Sequence, residues 1–576
     1  MARAGMPRIR ARWVTGVASA LAALSVVVAV WLGTGGSALG ASNAAGQAPA
    51  VSCDSLAGLK LTNTTVTSAT EVPASTTLPA YCNVQLVETN PPAGDQIHIG
   101  VFLPDSWNGR FEGIGGGGFV GGNPSSPSPT AIQQGYATAG TDTGHVADGG
   151  QGAFALNPDG TLNWQLIDDF SYLGIHEMTV TSKAVIAAYY GSGPRYAYWN
   201  GCSTGGRQGY MEAQRYPTDY NGIYAGSPAI NWAQFMVAQM WGELQMNLAH
   251  DFIPQCKFAA AQQAAVAQCD GLDGVKDGII SDWASCHFDA RSLIGTVTAC
   301  GTITATDADI INKILEGPRF PNGRFMWYGL VPGTSFSGLN NTVTAADGTT
   351  TPAPFLISLN HFVYWLAQNP NFNWETMTYP QFVRFFIQSY VEFNPVIGTN
   401  NPNLTRFRDA GGKLLSWVGT ADQLIYPQGV IGYYQSVIDR MGGLRRTQQF
   451  YRLFIAPSVA HCGGGSGAAP TDPFDAMVNW VEHGQAPSSL AGAHTNSSGQ
   501  VDLTRPVCVY PLVATYTGQG STNDAANFVC APTFIPRLPN AEGRDDGRGD
   551  RHYGRAGNRH RGRGVARGDR RFNART

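Results

Sequence analysis

Charge is scarce in this chain of 576 residues: Asp, Glu, Lys and Arg make up 13%, and 37 basic against 40 acidic residues leave a net charge of only −3. So small an imbalance implies no polyanionic partner, and nucleic acid is not expected as a ligand of the folded part. No Cys-x-x-C pair occurs among the ten cysteines, which argues against a structural zinc site of the usual spacing. Beyond Leu32 there is no apolar run approaching the roughly 20 residues that a membrane-spanning helix needs. What the chain does have is 43% hydrophobic residues, 11% aromatics and 71 glycines, a composition of ordered structure with many turns. The length suits one large elaborated domain or two to three smaller ones, on the scale of an enzyme.

The two ends differ from the rest. Arg3, Arg8, Arg10 and Arg12 precede an apolar run from Trp13 to Leu32 and a small-residue stretch from Gly33 to Ala48, the layout of a secretory signal with a mature start near Ala41. The expected location is therefore secreted, periplasmic or extracellular. The run is longer than the usual signal core, so an uncleaved anchor is the alternative and the one route to a membrane. At the other end, Arg537 to Thr576 carries twelve arginines among Gly, Asp and Asn with almost no aliphatics, and cannot offset its ordering entropy by burial. All ten cysteines lie between these ends, and an even count in an exported chain favours disulfides.

Short apolar strands alternate with helical stretches over the first part: Ile97–Leu103, Arg110–Ile114, Tyr136–Thr141, a helix over His176–Tyr190, then the strand Tyr196–Asn200. The rhythm returns with strands Lys413–Val418 and Gln449–Ile455 around a helix Gln428–Met441, and a closing helix to His483 with Asp472 as N-cap and Pro473 at the first helical position. Such alternation predicts a mainly parallel sheet covered on both faces. Residues 226–403 have a different texture and read as an insertion that emerges at the carboxyl ends of the strands, where open α/β sheets bind ligands. The predicted division is 1–41 signal or anchor, 42–225 first part of an α/β core, 226–403 lid domain, 404–535 second part of the core, and 536–576 disordered tail.

The sharpest motif is Gly201-Cys202-Ser203-Thr204-Gly205, a G-x-S-x-G between an apolar strand and a helix. Taken alone it is as readily a tight turn. Chain order adds weight: Asp422 follows the strand Lys413–Val418 and His461 follows the strand Gln449–Ile455, the order nucleophile, acid, base of α/β-hydrolases. His483, at a helix end, is better explained by the helix dipole. Cysteines flank two of these residues, as Cys202-Ser203 and His461-Cys462. A Cys202–Cys462 disulfide would hold the two loops close enough for Ser203 and His461 to meet. Oxyanion donors are expected from the N–H of Thr204 and from the glycine run 115–118, with Gly117 favoured and Gly116 next.

At these residues the chain resembles the tannase and feruloyl esterase family, which includes hydrolases of mono(hydroxyethyl) terephthalate. The resemblance runs from about Cys53 to Pro532. It rests on Gly115-Gly116-Gly117-Gly118-Phe119, Thr141-Asp142-Thr143-Gly144-His145, Gly201 to Gly209, and His461-Cys462-Gly463-Gly464-Gly465. It implies an α/β-hydrolase fold with a large lid inserted between nucleophile and acid, with Ser203, Asp422 and His461 as triad and Cys202 bonded to Cys462. One departure is Val418, where the family usually has histidine.

The stretch Asp270–Ile279 sets three carboxylates over eight positions with glycines between, a composition suited to a hard cation although not an EF-hand. The resemblance implies a structural calcium ion there, held by side chains of Asp270, Asp273 and Asp277 and carbonyls of Val275 and Ile279; an acidic turn stapled by Cys269 and Cys286 is the plain alternative. The other cysteines pair most simply as Cys53–Cys82, Cys269–Cys286 and Cys508–Cys530, as in the family, leaving Cys256 and Cys300; sequence alone does not fix connectivity. The aromatics Phe362, Tyr364, Trp365, Phe372, Trp374, Phe382, Phe385 and Phe386 are expected to be mostly lid core, with Arg384 available to a carboxylate.

The expected activity is hydrolysis of a small aromatic ester, feruloyl, hydroxycinnamoyl or galloyl, on plant polysaccharide or tannin, with no organic cofactor. A terephthalate-type half-ester hydrolase, a non-catalytic binding protein on the same scaffold, and a cysteine hydrolase using Cys202 are the rivals.

Overall fold

In the computed structural model the described residues are 46–146 and 148–539. The segment 1–41, expected to be a signal or anchor, and residues 540–576 of the Arg-rich stretch lie outside them. A nine-stranded sheet organises the molecule: β1 (Thr64–Val72), β2 (Tyr81–Glu88), β3 (Ile97–Pro104), β4 (Arg110–Ile114), β5 (Ala137–Thr141), β6 (Tyr196–Cys202), β7 (Gly222–Gly226), β8 (Lys413–Gly419) and β9 (Tyr451–Ala456), in the order 1-2-3-5-4-6-7-8-9. The pairs β1–β2, β2–β3 and β3–β5 are antiparallel, and every pair from β5 to β9 is parallel. Parallel strands must be covered on both faces. Accordingly β5 is buried at every position and β8 at all but Lys413, whereas the edge strand β1 has one buried residue, Thr64. The α/β-hydrolase expectation is met by this arrangement.

Because β6, β8 and β9 run parallel, the chain leaves all three at one edge of the sheet. Helix α1 (Gly174–Tyr190) leads into β6, α2 (Thr204–Arg215) leaves it, and α3 (Pro427–Arg440) connects β8 to β9. Residues 227–412 intervene between the adjacent strands β7 and β8. They do not form a separate globule. Trp232, Phe235, Phe362, Trp365 and Phe382 from this insertion share one apolar cluster with Val101, Phe111, Trp199 and Ile223 of the sheet. Phe119, after β4, has its ring centroid 5.8 Å from that of Trp232 and 5.9 Å from that of Trp365. Most of the aromatic run thus serves as core, with Phe362, Trp365 and Phe382 fully buried and Arg384 exposed.

One boundary expectation is corrected and one helix cap is refined. The tail was expected to begin at 536, but residues 536–539 pack on α3: Gln435 bonds the carbonyl of Pro536 and the N–H of Leu538, and Arg537 pairs with Asp439. Local composition hides this, since the anchoring groups sit about a hundred residues earlier. At the closing helix Pro473–His483, Asp472 does occupy the N-cap position, yet its carboxylate accepts from the Thr471 hydroxyl rather than from a helix N–H.

Asp169, in a π-helical turn before α1, is fully buried; Gln165 donates to Oδ1 at 2.8 Å, and Oδ2 has no partner. Burial pushes its pKa up to about 8. The unfolded carboxyl titrates near 3.9, so the folded chain holds an extra proton between the two values and loses stability as pH rises, at up to about 1.4 kcal/mol per pH unit. Asp169→Asn cannot titrate. Its unfolding free energy in denaturant should therefore gain on the unsubstituted chain from about pH 4 to about pH 8 and run parallel above that. Parallel profiles throughout would show that Asp169 is ionised in the fold.

Candidate active site

Ser203 sits at the turn between β6 and α2 with φ 60° and ψ −122°, a conformation that only glycine adopts without strain. The turn closes because its neighbours lack side chains. A Cβ on Gly201 would come within 2.4 Å of the Gly205 backbone, and one on Gly115 within 2.5 Å of the Gly205 Cα. Thr204 is the first residue of α2, so its N–H has no intrahelical acceptor.

Four His–Asp pairs occur among the described residues: His98–Asp142, His176–Asp219, His461–Asp422 and His494–Asp502. Only Asp422 has a carboxylate with no exposure, against 12%, 10% and 44% for Asp142, Asp219 and Asp502. His461 Nδ1 lies 2.9 Å from Asp422 Oδ2 and 3.1 Å from Oδ1. The N–H groups of Leu424 and Ile425 donate to Oδ1 at 3.0 and 2.8 Å, fixing the carboxylate's orientation. The backbone of His461 is held as well, its N–H donating to Gln423 Oε1 at 3.2 Å.

The link from this pair to the serine is covalent. Cys202 and Cys462 form a disulfide with Cα atoms 6.1 Å apart, which ties the turn of Ser203 to the loop of His461. Cys202 is therefore no free thiol, which removes the cysteine hydrolase. No hydrogen bond joins Ser203 Oγ to His461 in this resting arrangement, and such bonds are often long before substrate binds. The remaining pairings are Cys53–Cys82, Cys256–Cys300, Cys269–Cys286 and Cys508–Cys530.

The glycine run after β4 lies against the start of α2. Gly205 N–H donates to the Gly116 carbonyl at 2.9 Å, and Thr204 Oγ1 donates to the Gly118 carbonyl at 2.7 Å. Gln208 clamps the run, accepting from Gly116 N–H at 3.0 Å and donating to the Gly121 carbonyl at 2.8 Å. This corrects one expectation: the Gly116 N–H is already spent on Gln208 and is not free for an oxyanion, whereas a Cβ at Gly117 would meet nothing within 4 Å. Farther out, His145 Nε2 donates to the Phe119 carbonyl at 2.7 Å, so the strings 115–119 and 141–145 support each other.

The family model for tannase and feruloyl esterase matches residues 82–531, more than three quarters of the chain. The chain belongs to this family. A probable feruloyl esterase of Arthroderma benhamiae is 42% identical over 463 residues, covering 79% of this chain and 86% of that protein. Feruloyl esterase B of Aspergillus niger is 32% identical over 466 residues, covering 77% and 86%. Among solved structures, feruloyl esterase B from Aspergillus oryzae superposes with a TM-score of 0.71 at 29% identity, over 83% of this chain and 99% of that one. Tannin acyl hydrolase from Aspergillus niger, at 24% identity and a TM-score of 0.73 over 82% and 92%, shows the same fold. Membership of the tannase and feruloyl esterase family makes the chain a carboxylic ester hydrolase.

In this family member the acidic loop is built as a turn around Asp270, whose Oδ1 accepts from the N–H groups of Asp277, Gly278 and Ile279. Asp273 Oδ1 accepts from Val275 N–H, and Asp277 Oδ1 from Ile279 N–H. The pKa values of Asp273 and Asp277 are raised by burial and by the charge of the other acids. The donors are all hard oxygens, which fits calcium. Asp277 differs from the expectation, because its Oδ2 is paired with the buried Arg505 at 2.6 Å. The loop also reaches the base: Ile280 N–H donates to Ser458 Oγ at 2.9 Å and Ser466 Oγ donates to the Gly278 carbonyl at 3.0 Å, both on the segment that carries His461. Sequence reasoning gave no role to Gln208 or Arg505. Gln208 stood within the motif string, but Arg505 lies 228 residues from its partner and has no local signature.

Proposed function

We propose that this esterase is secreted and cleaves esters of hydroxycinnamic acids through Ser203, His461 and Asp422. The buried Asp422 carboxylate on His461 Nδ1, on a loop bridged to the nucleophile elbow, carries the reading. His461 Nε2 takes the Ser203 proton as Oγ attacks the ester carbonyl, then delivers it to the leaving alcohol; water activated by the same nitrogen clears the acyl-enzyme. Asp422 holds the tautomer that leaves Nε2 free to accept and stabilises the imidazolium. The N–H groups of Thr204 and Gly117 receive the oxyanion. Secretion is supported by five disulfides. The names of the relatives favour feruloyl over galloyl esters.

The test is hydrolysis of methyl ferulate, methyl gallate, chlorogenate and mono(hydroxyethyl) terephthalate by the chain from Ala41 onward. The highest kcat/KM is expected on methyl ferulate or chlorogenate. A preference for gallate or the terephthalate half-ester overturns the acyl assignment, and no turnover on any ester supports a non-catalytic binder.

Calcium in the acidic loop is part of this reading, where Asp270, Asp273, Asp277 and the carbonyls of Val275 and Ile279 would hold it. When bound it neutralises the loop's carboxylates and plays no chemical step. Chelation should lower the melting temperature by several degrees, restored by calcium and not by magnesium, and Asp270→Asn should abolish the response. An unchanged melting temperature after chelation sinks the calcium assignment.

A further inference from the structure

Three side chains that the ester chemistry leaves unused meet near the C-terminal end of the nucleophile's helix. Glu212 lies on α2, nine residues and about 13 Å along the helix axis from Ser203. His176 is in the first turn of α1, and Asp219 is in the turn that leads to β7. One ligand atom of each lies within 4.8 Å of the other two, and among the described residues no other three His, Cys, Asp or Glu side chains meet this closely.

Glu212 is the decisive member. It is 1% exposed, and neither carboxylate oxygen accepts a hydrogen bond from a donor group, although the Asp219 carboxyl lies within hydrogen-bonding reach of it. A carboxylate is rarely buried without a counter-charge or donor, because desolvation is not repaid. The nearest ammonium does not fill that role directly: Lys183 donates to the backbone carbonyl of Asp219 and forms no ion pair with either carboxylate. The imidazole is held in place, with Nδ1 2.7 Å from Asp219 Oδ2 and its ring stacked on Tyr216 at a centroid distance of 3.7 Å. The His176 side chain is 30% exposed, which gives an ion a way in.

We propose that His176, Glu212 and Asp219 form a site for a first-row divalent cation of the zinc type, fastening the nucleophile's helix to α1 and to the entry of β7. One imidazole and two carboxylates suit zinc, cobalt or manganese, whereas calcium takes oxygen ligands alone. Three protein ligands leave a position for water. The distance from Ser203 makes the role structural. The site is separate from the acidic loop, and it does not depend on which ester the enzyme prefers.

The test uses the full secreted chain, stripped by chelator and titrated with Co²⁺ while visible d–d absorption is followed. The expected result is a band that saturates near one equivalent, is displaced by Zn²⁺, and survives in Asp270→Asn. His176→Gln should weaken Co²⁺ binding by at least about tenfold, as should Glu212→Gln. Should the buried Glu212→Gln fail to fold, His176→Gln decides alone, because its ring is partly exposed. Three results overturn the proposal: no stoichiometric band, a band unchanged by His176→Gln, or a band lost in Asp270→Asn.

Discussion

Ser203→Ala should lower kcat on a ferulate ester by about 10⁵-fold, leaving the residue of catalysis that binding and oxyanion donors supply without a nucleophile. Asp422→Asn should cost about 10⁴-fold, because the amide reverses the hydrogen bond and leaves His461 in the wrong tautomer. The folded state should not suffer with activity. Ser203 is held at φ 60° and ψ −122°, strain of roughly 1–3 kcal/mol that alanine keeps and glycine relieves. Ser203→Gly should therefore be as inactive as Ser203→Ala and melt several degrees higher, partly offset by the entropy that glycine adds to the unfolded chain. Turnover that survives Ser203→Ala, with a folded protein by circular dichroism, would move the nucleophile elsewhere.

That strain marks how far a sequence reveals its site. The inner parallel strands other than β7 were legible within one or two residues, since burial on both faces writes them as apolar runs: Arg110–Ile114 matches its expected bounds, and Tyr196–Asn200 extends only to Cys202. Ser203, Asp422 and His461 were legible because each follows such a strand closely. The edge strand β1 and its neighbour β2 were not, because β1, Thr-Thr-Val-Thr-Ser-Ala-Thr-Glu-Val, has only part of one face covered and no apolar run. Contacts between distant residues escaped altogether. Gln208 on Gly116, Arg505 on Asp277 and Glu212 beside His176 each join elements whose spacing in the chain carries no period. The insertion read as a lid from its texture, yet its aromatics complete the sheet's own core, which composition cannot distinguish from a core of its own.

The bridge between Cys202 and Cys462 should matter more to catalysis than its place among five disulfides suggests. Asp422 and Gln423 tie His461 to the loop after β8, and Ser458 ties the same segment to Thr420 and Ile280. None of these contacts reaches β6, the strand that leads to Ser203. Cys462 does so through the disulfide, 260 residues away in sequence. Replacing both cysteines with serine should destabilise the fold by about 2–5 kcal/mol, near the upper end because the closed loop is long. Among molecules still folded at low temperature, kcat should fall by about 10²-fold with KM little changed, since a misplacement of about 1 Å between nucleophile and base costs that much. Double replacement at Cys53 and Cys82, remote from the elbow, should lower stability and leave kcat of the folded fraction intact. Equal kcat for the two variants would reduce the Cys202–Cys462 bridge to a stabilising crosslink, with the register of Ser203 and His461 set by the strands alone.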